Sequence, residues 1–197
     1  MPKDTFYNLS DEKKNRILDA AVCEFSTRCY SDASLNQIVK TAKIPWGSFY
    51  QYFNDKEDIY LYLLEEIAKD HQKIVRKKPV DPDTGFFETF IQQTKESLEL
   101  GKVKPEYTRI GMLMQVDNSD FIVKLRSSTL AALRRKISQD KERGIIKPEI
   151  DSDLIVEMLF TFTLEEYFRN GQNEDLFLKK LNDAVNIVRY GVLCKSN

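Results

Sequence analysis

The chain has 197 residues, 42% of them hydrophobic and 31% charged, with a formal net charge of −1. At about 150 residues per domain this is one or two domains, long enough to bury a core without disulfide or metal staples. The balance excludes a disordered chain and a globally basic nucleic-acid binder, and 7 glycines with 6 prolines disfavour a turn-rich all-β fold.

Apolar spacing is helical nearly throughout and predicts about nine helices with no strands. Ser10 is placed to cap the first, with Asp11 and Glu12 in its first turn and a stripe of Ile17, Leu18, Ala21, Val22 and Phe25, ending near Arg28–Tyr30. A second, short helix follows Ser34, with Leu35, Ile38, Val39 and Ala42 inward, and breaks at Lys43–Ile44–Pro45. A very short third runs from Trp46 to Tyr52. Asn54–Asp55 caps a long fourth, from Lys56 to about Lys77. Pro79-Val80-Asp81-Pro82 is the clearest connector. Beyond it, helices are expected from about Thr84 to Leu100, with a break at Gly101 and Pro105. The next runs over Glu106–Gln115, and another from Asp120 to Arg143 stops at Gly144. The last two span about Ser152–Arg169 and Glu174–Leu193.

Cys23, Cys29 and Cys194 are too few and too scattered for a disulfide framework, and each is expected to act as a small buried or half-buried hydrophobe. With one histidine, His71, the usual zinc ligands are lacking, and no cofactor is expected. Residues 1–14 carry no apolar signal-peptide core, and Leu154–Leu164 is about half a bilayer span and contains Glu157. The expectation is a cytoplasmic chain with no membrane partner. Enzymatic chemistry is disfavoured too: there is no P-loop, GxGxxG or GxSxG, and Glu65-Glu66 and Glu165-Glu166 read as solvated helix faces.

The informative segment is Leu35–Tyr52, two short helices joined by a tight turn after a longer one. That is the pattern of a helix-turn-helix, whose second helix enters the DNA major groove. Phe49 and Phe53 are four apart and face the core with Val39. Trp46, Ser48, Tyr50, Gln51 and Tyr52 are left for the outer surface, where aromatic, hydroxyl and amide groups suit sugar-phosphate and thymine methyls. Between Ala33 and Lys56 there are three basic residues (Lys40, Lys43, Lys56) against one acid, Asp55, so a narrow positive footprint is expected. Core or interdomain packing is the competing reading of Trp46, Tyr50 and Tyr52.

The run from Phe25 to Tyr60 resembles the amino-terminal domain of TetR/AcrR-type transcriptional regulators. Ala33-Ser34-Leu35, Ile38, Ala42, Gly47-Ser48-Phe49-Tyr50-Gln51-Tyr52-Phe53 and Lys56-Glu57 carry the likeness, which covers about residues 10–62. Cys29 and Lys43 stand where that pattern usually has Gly, Pro45 where a Ser or Thr cap is common, and Trp46 where many relatives have smaller or basic residues. A left-handed backbone at Lys43 costs roughly 1–2 kcal/mol.

The resemblance implies an all-α protein with a three-helix DNA-binding domain at residues 1–56 and a ligand-binding and dimerisation domain at 57–197. It implies Ser34, Asn36 and Gln37 as phosphate or base contacts, and Trp46, Gly47 and Ser48 as the opening of the recognition helix. Tyr50, Tyr52, Lys43 and Lys56 are implied phosphate contacts, and Gln51 a base contact. The partners implied are a palindromic double-stranded DNA operator and a small apolar or amphipathic effector, with repression the commoner mode and activation the alternative. A cavity between residues 57 and 145 would draw on His71, Phe86, Phe90, Gln93, Tyr107, Met114 and Phe121, although an aromatic stripe at helical spacing is more often core. Independently, the last two helices are apolar on more than one side, which calls for a second copy of the chain as their partner. The remaining alternative is a helical interaction module that docks protein and not DNA.

Overall fold

The computed structural model describes residues 1–74 and 84–192. The Pro79–Pro82 connector, the expected last turn of the fourth helix, and Leu193 and Cys194 lie outside these. Among the described residues there are ten α-helices and no strand: α1 Asp4–Tyr7, α2 Asp11–Phe25, α3 Leu35–Thr41, α4 Trp46–Tyr52, α5 Lys56–Ile74, α6 Phe86–Val103, α7 Pro105–Val116, α8 Asp120–Glu142, α9 Ser152–Asn170 and α10 Glu174–Val192. None is long and apolar enough to cross a membrane.

Three details depart from expectation. The four-residue α1 is an addition, built on Phe6, which is fully buried. Ser10 occupies the cap of α2 without a side-chain hydrogen bond. Gly101 does not break α6: it lies within the helix, where a Cβ would meet Thr108 Oγ1 at 2.6 Å, so the glycine admits α7 at close range.

The chain divides into two compact units, residues 1–77 with 96–126, and 78–95 with 127–197. The first is built on one apolar cluster. Ile17, Ala20, Ala21 and Phe25 from α2, Ile38 and Val39 from α3 with its cap Ala42, and Phe49 from α4 with its cap Phe53 meet Ile59, Tyr60 and Leu63 of α5. Tyr107, Ile110 and Ile122 close it from α7 and α8.

In the second unit, Phe86, Phe87 and Phe90 are buried, as are Leu133, Ile137, Ile146, Ile155, Val156, Leu159, Phe177, Leu181 and Val185. The Asp140 carboxylate caps α6 by accepting from Phe86 N at 2.8 Å. α9 packs on α10, where Tyr167 meets Phe177 edge-on and the buried Glu166 is paired with Lys180 at 3.3 Å. Glu166 is therefore not on a solvated face; only Glu165 is, paired with Arg169.

Candidate nucleic-acid interface

α3 and α4 are joined by a turn that the sequence dictates closely. After the Ala42 cap, Lys43 N donates to Lys40 O (3.1 Å) and Ile44 N to Val39 O (3.2 Å). This is a Schellman closure, with Lys43 in its left-handed position at φ 51° and Ile44 buried beyond it. The left-handed backbone on which strain at Lys43 depends is thus present, and the side chain stands exposed. Ser34 caps α3, its Oγ accepting from Gln37 N at 3.4 Å. Pro45 begins α4 without a side-chain cap.

α4 buries Phe49 and turns Trp46 (42% exposed) and Tyr50 (45% exposed) to solvent. Their rings meet edge-to-face at 5.6 Å, so the pair is a preformed aromatic ledge. Gly47 sits between them in sequence, exposed, with nothing within 4 Å of where a Cβ would lie. No packing inside the protein requires glycine there. Gln51 is exposed and Ser48 half-buried; Asn36, Gln37, Lys40 and Lys43 are exposed on and after α3. Gln37 Nε2 also donates to Thr41 Oγ1 at 3.3 Å.

Two expected contacts are corrected. Tyr52 is only 5% exposed: its ring packs against Phe6, and its hydroxyl accepts from Lys13 Nζ at 3.0 Å. Spacing placed it outside because the small packing partner α1 was not foreseen. Lys56 also turns inward. Its ammonium donates to the carbonyls of Tyr30 (2.7 Å), Ala33 (3.0 Å) and Ser31 (3.3 Å) and lies 4.6 Å from the Tyr30 ring centroid. An ammonium has three donors, and all three are engaged. Burial lowers its pKa, opposed in part by Asp117, Asp32 and Glu24. Lys56 staples the loop before α3, and the positive footprint narrows to Lys40 and Lys43.

That loop has two more anchors. Glu24, buried on α2, accepts from Ser34 N at 2.9 Å. Asp117, between α7 and α8, accepts from Ser31 N (2.7 Å), Ser119 N (2.8 Å) and Ser119 Oγ (2.6 Å). Burial alone raises the Asp117 carboxyl, but these bonds outweigh it and hold the group at about 2. Phe121 completes the junction, 4.7 Å from the Tyr30 ring and 6.0 Å from that of Tyr60. Asp117 carried no motif and was missed. Its only sequence signal was an acidic residue just ahead of the Asn118-Ser119-Asp120 cap.

The expected effector residues are divided between the two units. Tyr107 is buried in the cluster of the first unit and donates to Asp70 Oδ2 at 3.1 Å, while Phe121 and Met114 pack against the same cluster. These three are core. His71, on α5, is half-buried. Phe86 and Phe90 belong to the second unit, 6.0 Å apart and buried. Gln93, one turn on, is exposed. Cys23 is exposed, against expectation, and Cys29 half-buried.

The model of the family described as bacterial regulatory proteins, tetR family, matches residues 17–63. The chain is 25% identical over 199 residues to an uncharacterised HTH-type transcriptional regulator, YdgC, of Bacillus subtilis, covering 94% of this chain and 95% of that one. A TetR family regulator of Chloroflexus aurantiacus has a crystal structure of similar fold, with TM-score 0.69, 24% identity, and 99% and 100% of the two chains covered. The regulator FadR of Bacillus subtilis, in complex with stearoyl-CoA, has TM-score 0.64, 20% identity, and 90% and 98% coverage. Both structural likenesses concern the fold.

Proposed function

We propose that this chain, whose residues 17–63 match the model of the tetR family of bacterial regulatory proteins, represses transcription as a homodimer bound to a palindromic operator and is released by a small apolar or amphipathic effector. DNA reading is assigned to residues 1–56 and effector response to 57–197, a division by role and not by packing. The supporting observation is the solvent-facing ledge of Trp46 and Tyr50 around Gly47.

A tryptophan ring left 42% exposed keeps apolar surface in water that a partner surface would cover. Against a major groove its ring covers thymine methyls and sugar, and the glycine lets backbone come close to a phosphate. Gln51 is the base-edge candidate. Asn36, Gln37, Ser34, Ser48 and Lys43 flank it toward the phosphates, with Lys43 supplying charge.

Dimerisation is supported by α9 and α10. Leu154, Met158 and Phe168 are exposed along one line of α9, and Leu176, Ile187 and Tyr190 along one line of α10. The opposite faces bury Ile155, Val156 and Leu159, and Phe177, Leu181 and Val185. Six large apolar side chains left outside the chain's own core on two packed helices call for a partner, and a second copy has the same faces to offer. Two recognition helices related by a two-fold axis then reach successive major grooves about 34–36 Å apart. An effector acts by preferring the conformation that spoils this spacing. The stearoyl-CoA held by FadR makes a long-chain acyl thioester the first compound to try.

Selection of bound duplexes from a random pool tests the reading. The expected result is a two-fold symmetric site with half-sites one helical turn apart, from which stearoyl-CoA releases the protein. Recovery of no enriched sequence rejects DNA reading in favour of a protein-docking role. Enrichment that raises transcription of the attached promoter rejects repression in favour of activation.

A further inference from the structure

We infer that residues 3–6 are a clamp that sets the pose of the recognition helix, so that Lys3, Thr5 and Phe6 are positioning residues for operator recognition. This rests on the DNA-binding reading above.

α4 is seven residues long, too short to hold its own shape in water. It lacks a side-chain cap at its start and a basic residue in its last turn. The final four carbonyls of any helix need partners from outside its ladder. Here one partner is the cap: Phe53 N donates to Phe49 O at 2.9 Å. The other three come from the amino-terminal segment. Lys3 Nζ donates to Tyr50 O at 2.8 Å, Thr5 Oγ1 donates to Gln51 O, and Lys3 N donates to Tyr52 O at 2.8 Å.

The Lys3 ammonium also supplies the positive charge that a helix C-terminus favours and that α4 does not provide. Phe6 is the anchor. It is fully buried, with its ring centroid 5.0 Å from Phe53 and Tyr62 and 6.3 Å from Tyr52. Residues 3–6 therefore hold the carboxyl end of α4 by main chain, side chain and apolar contact together. The free end, carrying Trp46 and Gly47, is thereby aimed. Residues 3–6 lie ahead of the segment matched by the family model, which begins at residue 17.

A positioning role differs from a DNA contact and from simple stabilisation. The test compares Lys3→Met/Thr5→Val with the unaltered chain on a duplex selected by that chain and on a scrambled duplex of equal length. Expected is a loss of about tenfold or more on the selected duplex. Scrambled binding, its salt dependence and the melting temperature stay essentially unchanged. A salt slope reduced by about 1 per chain on both duplexes overturns the proposal, because Lys3 is then a phosphate contact.

Equal binding of both proteins to the selected duplex overturns it as well. Should the double variant fail to fold, Thr5→Val alone is measured, with Thr5→Ser expected to restore binding. Hydrogen exchange at the amides of residues 49–53 in the free protein separates this proposal from the DNA reading. The clamp predicts faster exchange in Thr5→Val whether or not any duplex is recognised, and unchanged exchange refutes it.

Discussion

Two parts of the molecule expose large apolar side chains, and they do so differently. On α4, Trp46 and Tyr50 stand as an isolated aromatic pair among Asn36, Gln37, Lys43 and Gln51. Along α9 and α10 the exposed large apolar residues are Leu154, Met158, Phe168, Leu176, Ile187 and Tyr190, interspersed with Thr161, Glu165 and Asp183 on faces whose reverse side is already core. Aromatics set among amides and cations suit a polar, anionic surface with methyl groups and sugars on it. Large apolar residues spread along two packed helices suit another copy of the same faces. Exposure alone says little; the company an exposed residue keeps says what is meant to cover it.

The comparison is easiest to break on α9 and α10. Met158→Glu/Ile187→Glu places two charges per chain in the proposed subunit interface. We expect sedimentation to show monomer at micromolar concentration, with operator binding down more than a hundredfold, because unpaired charges buried at an interface cost several kcal/mol. A dimer that survives these charges moves the interface elsewhere. On the ledge, Tyr50→Ala removes a side chain exposed on α4. We expect about 2 kcal/mol less binding, near thirtyfold, with the dimer and melting temperature intact. A variant that melts early would make Tyr50 a packing residue after all.

A third change probes what holds the ledge. Asp117 is kept at about 2, below the ordinary carboxylate value, once its hydrogen bonds outweigh its burial. Its contribution is therefore complete above about pH 4 and is lost as pH falls from there toward 2. Asp117→Asn should lower stability by about 2 kcal/mol at pH 7. The gap from the unaltered chain should close as the pH falls through that window in urea titrations. A pH-independent gap would assign the loss to packing.

The smallest effects sharpen the ledge itself. Gly47→Ala meets no atom within 4 Å, so stability should hold or rise by up to about 1 kcal/mol, while operator affinity falls because the backbone can no longer approach the duplex. Lys43→Gly relieves the left-handed strain at φ 51°. It should gain about 1 kcal/mol in stability and lose about 1 per chain from the salt slope of binding. Unchanged affinity in both variants would leave the turn and the start of α4 out of contact with DNA.

Much of the head was readable from the chain. Phe49 and Phe53 at four-residue spacing, a short helix starting after Ser34 and the stop at Gly144 are local consequences of local residues, and each stands as expected. The failures share a cause: they depend on partners far away in sequence. Tyr52 is buried by Phe6, Lys56 is drawn in by carbonyls 23 to 26 residues earlier, and Asp117 binds a backbone amide 86 residues away. No periodicity reports such pairings. Gly101 misled for another reason, since a glycine that ends a helix and one that admits a neighbouring helix look alike in sequence.

The chain has one tryptophan, and it is Trp46, at the first position of α4. Acrylamide quenching of its fluorescence, measured while a selected duplex is titrated in, puts the central claim to the most direct test. The account predicts ready quenching in the free protein, strong protection at saturation, and an end point of two chains per symmetric site. Quenching that stays as efficient on the bound complex as in free solution would contradict it.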